Sequence, residues 1–198
     1  MVIYIHGFAS AGGGEKYHAL KDVFAEEEVL SPTLPVAPFE AIEAILTLLD
    51  RADKPSLLIG TSLGGFYAYY LSVKLLLPAV IINPALEPWK TLRLALGYFR
   101  NLATGELFRW REEYLLQLQQ MAAEMDKNDV EDRLLRFYIS TDDELIDHSR
   151  IRERVPPMSE ILYFNHSGHR FTRFREVAPQ FKSHFEAVKP LLKPERDR

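Results

Sequence analysis

A serine stands in a GxSxG pattern at residues 60–64, directly after the apolar run Leu57–Ile59 and directly before a segment with helical periodicity. A nucleophile at the tip of such a strand-to-helix turn has strained backbone geometry, and the flanking glycines let the strand and the helix approach each other closely. The turn also aims the N–H of Leu63 and the start of the helix at a developing oxyanion. We therefore predict that Ser62 is a nucleophile and that Leu63 is an oxyanion donor. The alternative is that Ser62 only caps the helix.

A serine nucleophile needs a general base, and in folds with this turn the base is a histidine that follows the last strand. Three histidines lie in that part of the chain: His166, His169 and His184. His169 follows a glycine in the loop after the apolar run Ile161–Phe164, where its ring can turn toward the serine. We predict His169 as the base and keep His166, whose other role would be loop support, as the alternative. His184 lies in a helical pattern and is predicted at the surface.

The acid that orients the base is expected at the carboxyl end of the preceding strand, Leu134–Ile139. Four carboxylates follow this strand closely: Asp142, Asp143, Glu144 and Asp147. We predict Asp143 as the acid, although its position also suits a cap at the start of a predicted helix. Asp142 is the competing residue, and Asp147, one helical turn further on, is a third alternative.

The second oxyanion donor is expected in the loop after the first strand, which we predict to lie beside the strand of the nucleophile. His6-Gly7-Phe8 follows that strand directly. We predict the N–H of Phe8 as the donor and assign His6 and Gly7 to the substrate site, where the imidazole of His6 would orient the loop. The glycine tract at residues 12–14 has neither the GxGxxG spacing nor a following Gly-Lys-Ser/Thr, so it predicts a mobile loop at the mouth of the site and not a nucleotide site.

Short strands and longer helices must alternate to position these residues, and the sequence predicts both. Continuously apolar runs predict strands buried on both faces of a parallel sheet, at Val2–Ile5, Leu57–Ile59, Ala79–Ile82, Leu134–Ile139 and Ile161–Phe164, with a weaker strand near Glu28–Leu30. Helical periodicity predicts helices over Glu15–Glu28, Phe39–Asp53, Ser62–Leu76, Asp143–Glu153 and Phe174–Val188. This alternation predicts a three-layer α/β fold with a mostly parallel sheet of about six strands.

One connection is longer than a crossover needs. Residues 86–130 separate two predicted strands and are dense in aromatic side chains, which favours a functional insertion. We predict a helical lid here, with Trp89, Tyr98 and Phe99 forming an acyl pocket. Within it, Trp110–Met125 predicts an amphipathic helix whose apolar stripe packs on the body of the protein.

Composition narrows the function classes further. The length of 198 residues predicts one domain over residues 1–198, and the absence of cysteine excludes disulfides, cysteine-based metal sites and a thiol nucleophile. A net charge of −4 with both signs interspersed gives no footprint for nucleic acid. We find neither the features of a signal peptide nor an apolar run long enough to span a membrane, so we predict a cytoplasmic protein.

Five motifs lie in order along the chain: His6-Gly7-Phe8, Gly60-Thr61-Ser62-Leu63-Gly64-Gly65, Asn83-Pro84-Ala85, Thr141-Asp142-Asp143-Glu144 and His169-Arg170-Phe171. Together they resemble the YqiA/YcfP-like small bacterial esterases of the α/β-hydrolase superfamily, from Val2 to about Val188. The resemblance implies an α/β-hydrolase fold and the cleavage of short acyl esters, with acyl-CoA thioesters as a second substrate class. It also implies a triad of Ser62, Asp143 and His169, with oxyanion donors at Phe8 and Leu63. Asp142 stands where that family usually has a glycine, which keeps Asp142 open as a replacement for Asp143.

We therefore predict hydrolysis of a small-molecule ester or thioester through an acyl-serine, with neither metal nor cofactor, by a monomer or a homodimer. Arginines in the insertion and beside the base would suit an anionic leaving group such as a CoA phosphate, although solvated surface charge is the simpler interpretation. These arginines are Arg93, Arg100, Arg109, Arg111, Arg170, Arg173 and Arg175. The alternative function is a non-catalytic module that binds a small ligand or a partner under the lid. GxSxG also serves enzymes that cleave C–C or amide bonds.

Overall fold

Six of the eight strands in the described residues 1–52, 55–125 and 131–192 form one parallel sheet in the computed structural model. These six strands are β1 (Val2–Ile5), β2 (Val29–Leu30), β3 (Leu57–Thr61), β4 (Ala79–Ile82), β7 (Leu135–Ser140) and β8 (Glu160–Phe164). Their order in the sheet is β2-β1-β3-β4-β7-β8, and every neighbouring pair is parallel. The carboxyl ends of β3, β7 and β8, after which the predicted site residues follow, therefore meet at one edge of the sheet.

Helices cover both faces of this sheet. Successive strand residues point to opposite faces, so that Val2 packs in one hydrophobic cluster and Ile3 in the other. The helices of the first layer are α1 (Gly14–Val23) and α6 (Phe174–Val188), and those of the second layer are α2 (Pro38–Leu49), α3 (Leu63–Leu75) and α5 (Glu112–Met125). The predicted three-layer α/β fold is confirmed. Asp53, the predicted last residue of the second helix, lies outside the described residues.

The connection between β4 and β7, residues 83–134, contains a β-hairpin that the sequence analysis did not predict. A short helix, α4 (Pro88–Thr91), leads to the antiparallel strands β5 (Gly97–Arg100) and β6 (Leu107–Trp110). Phe99 pairs with Phe108 across the hairpin, and both point inward, while their neighbours along the strands are exposed. This two-residue alternation explains why the segment forms strands, so the prediction of a purely helical insertion is wrong here.

The apolar stripe of α5 does pack on the body of the protein, as predicted. Leu115, Leu118 and Met121 are fully buried in the cluster beneath α2 and α3. Residues 126–130, the last five of the predicted insertion, lie outside the described residues. Within the part of the chain that the structure describes, no helix is long and apolar enough to cross a membrane.

The predicted helix over Asp143–Glu153 does not form. Only its end is helical, as a single 3-10 turn at Ile151–Glu153. Oδ1 of Asp143 instead accepts the backbone N–H groups of Leu145 and Ile146, both at 2.9 Å. A side-chain carboxylate that bonds nearby N–H groups in this way competes with helix formation, and it overrides the helical periodicity of the segment.

Candidate active site

Ser62 lies at the turn between β3 and α3 with φ 56° and ψ −120°. This positive φ is uncommon for a residue other than glycine and is strained for a serine. The N–H of Ser62 donates to the carbonyl oxygen of Ile82 at 3.0 Å, and its own carbonyl oxygen accepts the N–H of Ala85 at 3.1 Å. The neighbouring strand β4 and the turn after it therefore hold the serine in this conformation.

The two glycines of the GxSxG pattern are required by close backbone contacts. A Cβ on Gly60 would lie 2.0 Å from the carbonyl oxygen of Gly64, and one on Gly64 would lie 2.2 Å from that of Ile5. Neither contact can be relieved by moving a flexible side chain, because both oxygens belong to the backbone. The sequence spacing thus reflects how tightly β3, α3 and β1 approach one another around Ser62.

The three residues predicted as nucleophile, base and acid form one continuous chain of hydrogen bonds. His169 Nε2 lies 3.0 Å from Ser62 Oγ, and His169 Nδ1 lies 2.9 Å from Asp143 Oδ2. The side chain of His169 is 15% exposed and that of Asp143 is 1% exposed, so solvent reaches the imidazole but not the carboxylate. Three separate loops, after β3, β7 and β8, supply these groups.

Asp143 is ionised in a buried position because it has several hydrogen-bond donors. Burial alone would raise the pKa of its carboxyl group. The imidazoles of His148 and His169 and two backbone N–H groups outweigh burial and hold that pKa well below its usual range. His148, which is 3.0 Å from Asp143 Oδ2, was missed by the sequence analysis because it lies inside the segment predicted as a helix.

Asn83 is a second residue that the sequence analysis did not single out for the site. Its side chain is buried after β4, and Nδ2 donates to the carbonyl oxygens of Gly168 and His169 at 3.0 and 3.1 Å. Its Oδ1 accepts the N–H of Ser140, at the end of β7, at 2.7 Å. Asn83 thereby ties the loop of the base to the strand before the acid. The Asn-Pro-Ala motif that directly follows β4 was the signal available in the sequence.

The three residues kept as alternatives to His169 and Asp143 make other contacts. Asp142 is exposed, and its Oδ1 accepts the N–H groups of Ser167 and Gly168 at 3.1 and 3.3 Å. His166 is exposed on the loop after β8, and Asp147 is exposed and bonds the N–H of Ser149. None of these three joins the chain of hydrogen bonds from Ser62, as far as the described residues go.

His184 is not at the surface as predicted. It is 4% exposed, and its Nε2 lies 3.2 Å from the carbonyl oxygen of Leu134. Burial and the nearby guanidinium of Arg136 lower its pKa to about 4. The helical pattern correctly gave the helix α6, but it assigned this residue to the wrong face because a histidine is usually polar and exposed.

The loop after β1 lies against the nucleophile. A Cβ on Gly7 would be 3.2 Å from the Cβ of Ser62, so the residue must be small for the loop to lie this close. His6 Nε2 accepts the N–H of Leu34 at 3.1 Å, and its Nδ1 lies 2.9 Å from the carbonyl oxygen of Gly7. The imidazole of His6 is thus bonded to backbone on both sides of the ring, and burial lowers its pKa.

The ring of Phe8 is enclosed by the hairpin of the β4–β7 connection. Its centroid lies 5.2 Å from that of Phe99, 5.6 Å from that of Phe108 and 5.0 Å from that of Trp110. Leu63 begins α3, so its N–H is one of the four donors that a helix leaves without an internal acceptor.

A cavity of about 50 Å³ lies between this loop and the hairpin. His6, Gly7, Phe8 and Leu63 border it, together with Leu34, Tyr67, Phe108 and Trp110. Among the described residues, the lining does not include the other three predicted pocket residues. Trp89 packs against the core, Phe99 contacts Phe8, and Tyr98 is 74% exposed to solvent.

The structure is similar to solved α/β-hydrolase structures over almost its full length. It matches Est1E from Butyrivibrio proteoclasticus with a TM-score of 0.71 at 14% sequence identity, over 96% of this chain and 88% of that one. It matches a monoacylglycerol lipase from Paleococcus ferrophilus with a TM-score of 0.70 at 16% identity, over 92% of this chain and 94% of that one. At these identities the similarity establishes the fold, which is that of the α/β hydrolases.

Sequence comparison extends this relationship to a family. A protein of Pectobacterium atrosepticum described as a UPF0227 protein is 28% identical over 189 residues, which cover 92% of this chain and 95% of the relative. The family model described as "Uncharacterised protein family (UPF0227)" matches residues 1–186. The chain therefore belongs to the UPF0227 family, which is the YqiA/YcfP family that its five motifs indicated.

Proposed function

We propose that this protein is a serine hydrolase that cleaves carboxylic esters through an acyl-serine intermediate. The observation that carries the proposal is the hydrogen-bond chain from Ser62 Oγ through His169 to the buried carboxylate of Asp143. A serine hydroxyl is a weak nucleophile unless a base stands within hydrogen-bond reach and a third group orients that base. Both requirements are met at a strained turn, where backbone N–H groups are also available to an oxyanion.

In the proposed mechanism, Ser62 Oγ attacks the acyl carbon while His169 Nε2 accepts the hydroxyl proton. The N–H groups of Phe8 and Leu63 stabilise the negative charge on the former carbonyl oxygen. The protonated His169 then gives its proton to the leaving alkoxide, and the ester bond breaks. Water attacks the acyl-serine by the same route in reverse and releases the acid. Throughout, Asp143 accepts the Nδ1–H of His169, which keeps Nε2 free to take the proton.

The lining of the cavity beside Phe8 favours the binding of an acyl group. Its walls are mainly apolar and aromatic, and Phe8 and Leu63, the proposed oxyanion donors, border it. The hairpin of the β4–β7 connection would then act as the lid over the acyl group.

A thioester with an anionic leaving group is the second candidate substrate. Arg170 directly follows the base, and Lys16 Nζ donates to its carbonyl oxygen at 2.7 Å, so two cationic residues meet at the loop that carries His169. Arg173 and Arg175 are paired with Glu176 and Asp22, whereas Arg170 has no ion pair within the described residues. The substitution Arg170→Gln should therefore weaken turnover of an acyl-CoA and leave a neutral ester of the same acid unaffected.

The test is a panel of p-nitrophenyl esters from acetate to palmitate, with matched acyl-CoAs, assayed on the wild type, Ser62→Ala and Ser183→Ala. Ser183 is an exposed serine on α6 and serves as the matched control. We expect turnover of the short esters, a fall in kcat of about 10⁴ to 10⁶ in Ser62→Ala, and no change in Ser183→Ala. Equal turnover by the wild type and Ser62→Ala would refute the acyl-serine. A folded wild type that turns over none of the panel would favour the non-catalytic binding module.

A further inference from the structure

The carboxylate of the proposed acid is shared between two imidazoles. His148 Nε2 lies 3.0 Å from Asp143 Oδ2, the same oxygen that lies 2.9 Å from His169 Nδ1. The side chain of His148 is 5% exposed, so this contact is part of the protein interior. An ionised carboxylate only accepts hydrogen bonds, so both rings must donate an N–H to it. The acyl-serine mechanism uses only one of these two rings.

The second imidazole completes the set of donors around the acid. Oδ1 accepts the N–H groups of Leu145 and Ile146, Oδ2 receives the imidazole of His148, and His169 Nδ1 lies 3.0 Å from Oδ1 and 2.9 Å from Oδ2. A carboxylate offers about four lone-pair sites, so these four donors occupy it fully. We propose that His148 is a positioning residue that holds the carboxylate of Asp143 in the orientation that receives the Nδ1–H of His169. This inference rests on the proposed function.

The sharing of Oδ2 has an electrostatic consequence for the reaction. The N–H that His148 donates withdraws negative charge from the oxygen that must stabilise the imidazolium formed at His169. Replacing His148 by a side chain without a donor therefore favours the protonated form of His169 in the free enzyme. The acidic limb of the pH profile of kcat/KM should then move to higher pH. At a given low pH, a larger fraction of the variant has a protonated His169, which cannot act as the base.

Other charged groups near His148 do not replace this contact. Four of them border, with His148, a cavity of about 250 Å³: Glu87, Lys90, Asp147 and Arg154. Glu87 is already paired with both Lys90 and Arg154. Asp143 is the only acid within hydrogen-bond distance of the His148 ring in the described part of the chain. A change in the pH profile on replacing His148 would therefore report on its contact with Asp143.

Three variants test the inference. His148→Phe keeps a ring of similar size without a donor, His148→Leu is a second donorless variant, and His148→Gln offers an amide N–H in place of Nε2–H. His18→Gln removes an exposed histidine on α1 and is the matched control. The measurement is kcat and KM from pH 5 to 9 on a p-nitrophenyl ester that the wild type turns over. The Nδ1–H proton of His169 is also followed by NMR, because this readout needs no substrate.

We expect the donorless variants to lower kcat by about 10- to 100-fold, the range known for side chains that orient metal-ligating histidines. Their acidic limb should move to higher pH, with KM little changed and the NMR signal of His169 shifted. His148→Gln should recover most of kcat. The role of His148 would be overturned if the donorless variants fold and keep the wild-type kcat, pH profile and NMR signal of His169. Turnover that depends on Ser62 would still support the proposed function in that case. If no turnover depends on Ser62, the proposed function fails, and an unchanged His169 signal would still refute the positioning contact.

Discussion

The side-chain amide of Asn101 donates a 2.8 Å hydrogen bond to the carbonyl oxygen of Ser10. A second bond, from the N–H of Leu102 to the carbonyl oxygen of Ala9, is 2.7 Å long. The turn of the hairpin is thereby attached to the loop that carries Phe8, the proposed oxyanion donor. The hairpin and this loop form one unit, because the Phe8 ring is also enclosed by side chains of β5 and β6.

Asn101→Ala should therefore lower kcat although Asn101 touches neither Ser62 nor His169. We expect a loss of about tenfold, smaller than the 10² to 10³ lost when an oxyanion donor itself is removed, because one backbone bond still attaches the loop. The measurement is kcat on a short p-nitrophenyl ester. Leu102→Ser is the matched control, since its side chain is 82% exposed and its backbone bond is retained. Equal activity of the two variants would show that the hairpin does not position the loop.

The doubled aspartate gives a second prediction. Asp143→Asn keeps the size of the acid but can no longer hold His169 in the required tautomer, so kcat should fall by about 10³ to 10⁴. Asp142→Asn should retain most of the activity, because the exposed Asp142 bonds only the backbone of the loop after β8. The measurement is kcat of both variants on the same ester. The opposite ranking would make Asp142 the acid that the family resemblance left open.

Most of what the sequence predicted correctly depends on local patterns. The continuously apolar runs predicted the strands of the parallel sheet, because a strand that is buried on both faces is apolar at every position. The GxSxG spacing gave the turn at Ser62, since a Cβ on Gly60 or Gly64 would lie only 2.0 or 2.2 Å from a backbone oxygen. The fixed order of strand ends led to Asp143 and His169 as the proposed acid and base, and the structure brings both side chains into hydrogen-bond distance of each other.

The features that the sequence did not reveal depend on contacts between distant segments. His148 was missed because its segment has the periodicity of a helix. The helix does not form, because the carboxylate of Asp143 accepts the backbone N–H groups of Leu145 and Ile146. The hairpin was not predicted because its inward residues, Phe99 and Phe108, pack on Phe8, which lies 91 and 100 residues away from them in the chain. The periodicity of a segment reveals neither the contact of His148 with Asp143 nor that of the hairpin with Phe8.

The buried His184 predicts how stability depends on pH. Its pKa is lowered to about 4 in the folded protein, first by burial and then by the guanidinium of Arg136, against an ordinary value of 6.5. Between these values the unfolded chain binds a proton that the folded chain does not. The contribution of His184 to stability is therefore complete above pH 6.5 and is lost as the pH falls toward 4, by about 3 kcal/mol in total.

His184→Leu removes this titration but leaves the carbonyl oxygen of Leu134 without its partner, which costs stability at every pH. The two proteins must therefore be compared by how steeply the free energy of unfolding changes with pH, and not by its absolute value. The measurement is urea unfolding at pH 7, 5.5 and 4. We expect the free energy of unfolding to fall less steeply in the variant over this range. The carboxyl group of Asp143 has an ordinary pKa of 3.8, so its own contribution is lost mainly below the range and affects both proteins alike. Parallel slopes for the two proteins would mean that His184 is protonated in the folded protein, and that the interior beneath α6 accommodates the charge.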